Sequence, residues 1–110
     1  MEFIYLPVFV KRIKELSKKY PSIKKDFANL LDLLRKYPQN GIPLGKDCYK
    51  IKLVIKSKRS GKSGGARIIT CVKMPQDKIY FLTIYDKSEQ STITDKDLKI
   101  FIDYIRQHYQ

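Results

Sequence analysis

Residues 48–56 read Cys-Tyr-Lys-Ile-Lys-Leu-Val-Ile-Lys, and this alternation constrains the fold more than any other stretch. In an extended strand, successive side chains point to opposite faces. Lys50, Lys52 and Lys56 therefore share one face, and Ile51, Leu53 and Ile55 share the other. A chain that contains this strand has to build a sheet with an apolar layer on one side and cations on the other. The cations also continue past the strand. Between Lys46 and Arg67 stand Lys46, Lys50, Lys52, Lys56, Lys58, Arg59, Lys62 and Arg67, against the single anion Asp47. Lysine blunts exposed sheet edges, which accounts for some of them. Their density and shared phase point further, to a surface that binds a polyanion through its phosphates and loosens steeply with salt.

The rest of the chain supplies a frame for such a sheet. Phe3-Ile4-Tyr5-Leu6 reads as a short strand, and Pro7 suits the first turn of a helix. Phe9, Ile13, Leu16 and Tyr20 recur at helical spacing, with cations between them. Pro21 ends that helix and Ser22 is placed to cap the next. Ile23, Phe27, Leu30, Leu31 and Leu34 form its apolar stripe, so the two helices read as a hairpin with one shared face. Gly41, Pro43 and Gly45 mark residues 39–47 as a loop. Strands are predicted over 48–56, 66–74 and 79–86, with a polar basic loop at 57–65 and a turn at Pro75-Gln76-Asp77. Thr94 and Asp97 match a capping box, and Leu98, Phe101, Ile102 and Ile105 form the stripe of a final helix. The expected fold is α+β, in the order β-α-α-β-β-β-α: an antiparallel meander packed against a helical hairpin, with a C-terminal helix. Without an internal repeat or a long linker, residues 1–110 read as one domain.

The net charge of +12 steers the chain toward anions: nucleic acid, an anionic membrane surface or an acidic protein. No apolar run approaches the roughly 20 residues of a membrane span. The apolar start lacks a basic leader and a small-residue cleavage site, so no signal peptide is expected and a cytoplasmic location follows. Cys48 and Cys71 fall in strands that can be neighbours, where a bridge is geometrically possible. In a reducing cytosol they read as small buried thiols.

Several chemistries lack their residues. The single histidine, His108, stands near the C-terminus, and no spaced Cys/His set exists, so neither a metal site nor histidine catalysis is expected. Gly61-Lys62-Ser63 resembles the end of a phosphate-binding P-loop, but Lys56 stands where its first glycine belongs and a strand follows where a helix is required. What remains is Lys, Arg and Tyr. Arg67 opens one strand and can face Tyr85 across the Pro75-Gln76-Asp77 turn, on the side that carries Lys50 and Lys52. Arginine suits two-pronged phosphate contact. Lys87 ends the last strand near Glu89, with which it could pair.

Lys-Ser-Gly-Gly-Ala-Arg-Ile-Ile at 62–69, followed closely by Tyr-Phe-Leu-Thr-Ile-Tyr-Asp-Lys-Ser-Glu at 80–89, resembles the RelE/ParE superfamily of bacterial toxins, nearest its RelE-like and HigB-like branch. The resemblance extends to the element order and so to nearly the whole chain. It implies the toxin of a type II toxin–antitoxin system: a ribosome-associated mRNA endonuclease in which a sugar 2′-hydroxyl attacks the adjacent phosphate without metal or other cofactor, inhibiting translation. Its implied partners are mRNA, the ribosome and a cognate antitoxin of helix-turn-helix or acidic character, with no membrane. By position, Arg67 corresponds to the arginine that holds the scissile phosphate. Lys52, Lys87 and Tyr85 complete the expected catalytic set, and Lys50, Lys56, Lys58, Arg59 and Lys62 the RNA-binding set. Tyr104 or Tyr109 could instead hold the place of the family's C-terminal tyrosine. Two other functions share this fold or surface: a ParE-like inhibitor of DNA gyrase, and an RNA- or ribosome-binding module without turnover.

Overall fold

The computed structural model describes residues 1–58 and 64–109. Five strands form one sheet: β1 (Glu2–Tyr5), β2 (Ile42–Gly45), β3 (Cys48–Leu53), β4 (Ala66–Lys73) and β5 (Lys78–Asp86). Their spatial order is β1-β5-β4-β3-β2. The last four pair antiparallel, and β1 lies parallel to the first half of β5. Helices α1 (Pro7–Lys19) and α2 (Ile23–Lys36) follow β1, and α3 (Asp95–Tyr109) closes the chain. Among the described residues, no helix is long and apolar enough to cross a membrane.

The elements form where their local signals stand. Pro7 occupies the first turn of α1, where its missing N–H costs no hydrogen bond. Thr94 Oγ1 accepts from the Asp97 N–H at 3.1 Å and starts α3 as the capping box predicts. β2 was expected to be loop. Its sequence, Ile-Pro-Leu-Gly, carries two turn-forming residues in four, but Pro43 is tolerated because β2 is the edge strand, with a partner strand on one side only among the described residues. A tight turn at Lys46 and Asp47, both at positive φ, then joins β2 to β3 as the mirror-image turns of hairpins do. The strand at 48–56 ends earlier than expected, at Leu53.

Both faces of the sheet are buried, which corrects the expectation of a core on one side only. On the first face Ile51, Leu53, Ile68, Val72, Ile79, Phe81 and Ile84 pack against Phe9, Leu16, Ile23, Leu30 and Leu34 of α1 and α2. On the second, Cys48, Ile69, Cys71, Tyr80, Leu82 and Tyr85 pack against Leu98, Ile102 and Ile105 of α3. The cause is legible in β4 and β5, whose near-continuous apolar runs do not alternate as a half-solvated strand must. The cations of β3 share the α3 side of the sheet, so they lie beside that second core.

Candidate active site

The register places three of the four residues of the expected catalytic set, Lys52, Arg67 and Tyr85, in one cross-strand row; Lys87 lies just past the end of β5. Lys52 is the partner of Arg67, and Arg67 is the partner of Tyr85. One step along, Lys50 opposes Ile69, which opposes Thr83. By alternation, Lys50 and Lys52 lie on the face of Cys48, and Arg67 on the face of Ile69 and Cys71. Neighbouring strands stand about 4.8 Å apart, so the row from lysine to tyrosine spans roughly 10 Å, the scale of a nucleotide step with its two phosphates.

A bulge puts Tyr85 in this row. Ile69 pairs with Thr83 and Thr70 with Phe81, which leaves Leu82 as an extra residue in β5. Ile79 and Phe81 face the helical hairpin; uninterrupted alternation would send Tyr85 there as well. The extra residue reverses the phase, so Ile84 enters the hairpin core and Tyr85 turns toward Arg67.

Lys52 is exposed and Lys50 half-buried. Arg67 is half-buried, with Nη1 donating to the Ala66 carbonyl at 3.2 Å. Tyr85 is buried, and its hydroxyl has no hydrogen-bond partner among the described residues. Burial raises the Tyr85 pKa and the Arg67 charge opposes the rise, so the phenol stays protonated at neutral pH. Lys87 directs its ammonium to the Ser91 carbonyl at 3.1 Å, and Glu89 pairs with Lys19 at 3.2 Å instead of with Lys87. Lys56 is exposed. Arg59 and Lys62 lie outside the described residues.

Lys58 is placed differently from its neighbours. Its ammonium donates to Asp86 Oδ1 at 2.7 Å, with both side chains nearly sealed from solvent. Tyr109 is also set apart. It packs on Tyr80, whose partner Cys71 stands four residues along β4 from Arg67, about 13 Å away at strand rise. Tyr104 stacks on His108 at the same end of α3. Cys48 and Cys71 are register partners, both free and buried. An open groove of about 450 Å³ runs between α1 and the end of β5, with Arg12, Lys19, Tyr85 and Glu89 on its walls.

The family model for the RelE toxin of the RelE/RelB toxin–antitoxin system matches residues 28–110, three quarters of the chain. The chain belongs to the RelE toxin family. Among solved structures, this RelE-family chain is similar to a double-arginine-to-alanine mutant of the E. coli toxin RelE in the free state. The TM-score is 0.61 at 17% identity, over 94% of this chain and 96% of that one. At that identity the likeness speaks for the fold. No curated protein sequence matches. The family assignment makes this protein the toxin of a toxin–antitoxin system, with a cognate antitoxin as its partner.

Sequence reasoning passed over one constituent of the site, the Asp86 carboxylate that takes up Lys58. The available signal was an acidic residue directly after an apolar strand, inside a strongly basic surrounding.

Proposed function

We propose that this RelE-family toxin is an endoribonuclease that cuts ribosome-bound mRNA and so arrests translation. The observation that carries the reading is the row Lys52–Arg67–Tyr85, with Lys50 beside it, on one face of a basic sheet. Arg67 holds the scissile phosphate through its forked donors. The 2′-hydroxyl gives its proton to a solvent base and attacks phosphorus, the bond to the 5′-oxygen breaks, and a 2′,3′-cyclic phosphate forms. Charge grows on the phosphoryl oxygens as the transition state develops, and cations held by strand geometry bind it better there than in the ground state. Tyr85 supplies the proton to the departing 5′-oxygen. A phenol kept protonated by burial is suited to donate, and the neighbouring guanidinium stabilises the phenolate left behind. Lys50, Lys52, Lys56 and Lys87 fix the flanking backbone, with Arg59 and Lys62 extending that contact. The acidic antitoxin segment covers this charge.

The test is cleavage of defined RNA, free and in translating ribosomes, by the purified chain. Products ending in 2′,3′-cyclic phosphate and 5′-hydroxyl, suppressed by the cognate antitoxin, support the reading. Intact RNA together with inhibited DNA supercoiling would replace it with gyrase inhibition.

A further inference from the structure

A buried polar cluster lies directly behind the row. Asp86 is the last residue of β5, between Tyr85 and Lys87, and its strand partner Ala66 adjoins Arg67. Its Oδ1 accepts from Lys58 Nζ at 2.7 Å, from the Ser88 N–H at 2.9 Å and from the Ser88 hydroxyl at 2.7 Å. Its Oδ2 accepts from the Tyr20 hydroxyl at 2.7 Å. One carboxylate thus gathers the end of α1, the stem after β3 and the turn after β5. The Lys58 ammonium also stands 5.4 Å from the centre of the Tyr20 ring.

A second carboxylate holds the same stem from α2. Asp26, buried, accepts from the Lys56 N–H at 3.1 Å and from the Ser22 hydroxyl at 2.7 Å. The Ser57 N–H donates to the Ser22 hydroxyl at 2.8 Å. Ser22 was expected to cap α2. It stands at that position, but its hydroxyl is spent on this tie. Opposite, the Lys87 N–H donates to the Gly65 carbonyl at 3.0 Å. Gly65 has φ +88°, and a Cβ there would stand 2.5 Å from the Leu53 carbonyl oxygen, so only glycine lets the strands meet this closely.

We propose that Asp86, through Lys58, Tyr20 and Ser88, is a positioning residue that holds Arg67 and Lys87 in register for the cut. The inference rests on the nuclease reading above. It reassigns Lys58 from RNA contact to the interior of the protein. Removing two charges from water is costly, and apolar replacements of buried ion pairs commonly match or exceed them in stability. Bulk stability is therefore a poor account of this cluster. Its placement gives a better one: all three elements meet at the residues flanking Arg67 and Lys87. Burial pushes the Asp86 carboxyl up, and its donors outweigh this and hold it well below the usual range, so it stays charged throughout the physiological range.

The experiment compares wild type, Tyr20→Phe, Lys58→Met and Lys58→Arg. It measures single-turnover cleavage of a short RNA, affinity for the same RNA, thermal unfolding and amide hydrogen exchange. Tyr20→Phe removes one hydroxyl and keeps the ring, so it folds even if Lys58→Met does not. Misplacement by about 1 Å can cost up to about a hundredfold in rate, and Tyr20→Phe and Lys58→Met are expected to cut at least about tenfold more slowly with affinity within about threefold. Exchange at the Lys87 and Arg67 amides rises, and Lys58→Arg restores the rate. Unchanged rate and exchange in Tyr20→Phe would overturn the inference. So would lost affinity at unchanged rate in Lys58→Met, which would return Lys58 to the RNA surface. If wild type cuts no RNA, the nuclease reading fails by itself, and exchange at Lys87 and Arg67 alone decides whether the cluster positions them.

Discussion

Tyr85 shows how much one residue can carry here. Among the described residues its buried hydroxyl has no partner, and a buried hydroxyl so placed costs stability, because its hydrogen bonds to water are lost without replacement. Deleting that oxygen should therefore leave the fold as stable or more so, while removing the proposed proton donor. Tyr85→Phe is expected to cut RNA at least about a hundredfold more slowly, the lower end of the range for a lost general acid, with an unfolding midpoint equal to wild type or higher. Rate and chemical denaturation measured on the same preparation check it, and a fully active, destabilised variant would make Tyr85 a plain core residue. The possibility that Tyr85 faces Arg67 could be raised from the turn at Pro75-Gln76-Asp77. The bulge at Leu82 that makes it so could not, because a one-residue insertion between two apolar runs leaves no mark in their composition. Asp86 was hidden for a related reason. Burial and partnership belong to the assembled sheet, and a charged residue at a strand end reads as solvated until the stem after β3 arrives above it.

At the scale of elements, the sequence was most readable where periodicity was long. The stripes of α1, α2 and α3 and the cap at Thr94 stand where spacing put them. The four residues of β2 were unreadable, since a proline and a glycine in an edge strand have the signature of a loop. The cation face was read too broadly: alternation in β3 was right, but α3 shields much of the surface that β3 shares with β4 and β5. The stem that joins these strands makes a pH prediction. The Asp86 carboxyl is held below its ordinary 3.8, so its contribution to stability is present above that value and is lost as pH falls through the lower folded value. Lys58 is raised above 10.5, chiefly by its hydrogen bond to Asp86, so its contribution is present below that value and lost as pH rises beyond it. Stability from the pair is therefore flat between about pH 5 and pH 10 and declines on the acid side from about pH 4. Asp86→Asn lowers stability at neutral pH and removes up to about 1.4 kcal/mol per pH unit of the acid slope, seen by denaturant unfolding at stepped pH. An unchanged acid slope would mean that Asp86 is not held as described.

Over the whole molecule, charge and shape divide the work. The net charge of +12 gives long-range attraction to polyanions and acidic segments in general, and salt weakens it. Lys50→Gln with Lys52→Gln should reduce the slope of log affinity against log salt by about 1.4, with no loss of fold, since each phosphate contact on a single strand contributes roughly 0.7. Binding titrations across a salt series check this, and an unchanged slope would place the RNA elsewhere. The catalytic claim rests on geometry more than on charge, and Arg67 is its centre. The most direct measurement is single-turnover cleavage of one RNA by wild type and Arg67→Ala, with RNA affinity and folding followed in parallel. Loss of a contact to a charged transition state is commonly worth about 3 kcal/mol, so Arg67→Ala is expected to cut at least about a hundredfold more slowly while staying folded and keeping most of its affinity. Wild-type cleavage by a folded Arg67→Ala protein would contradict the site.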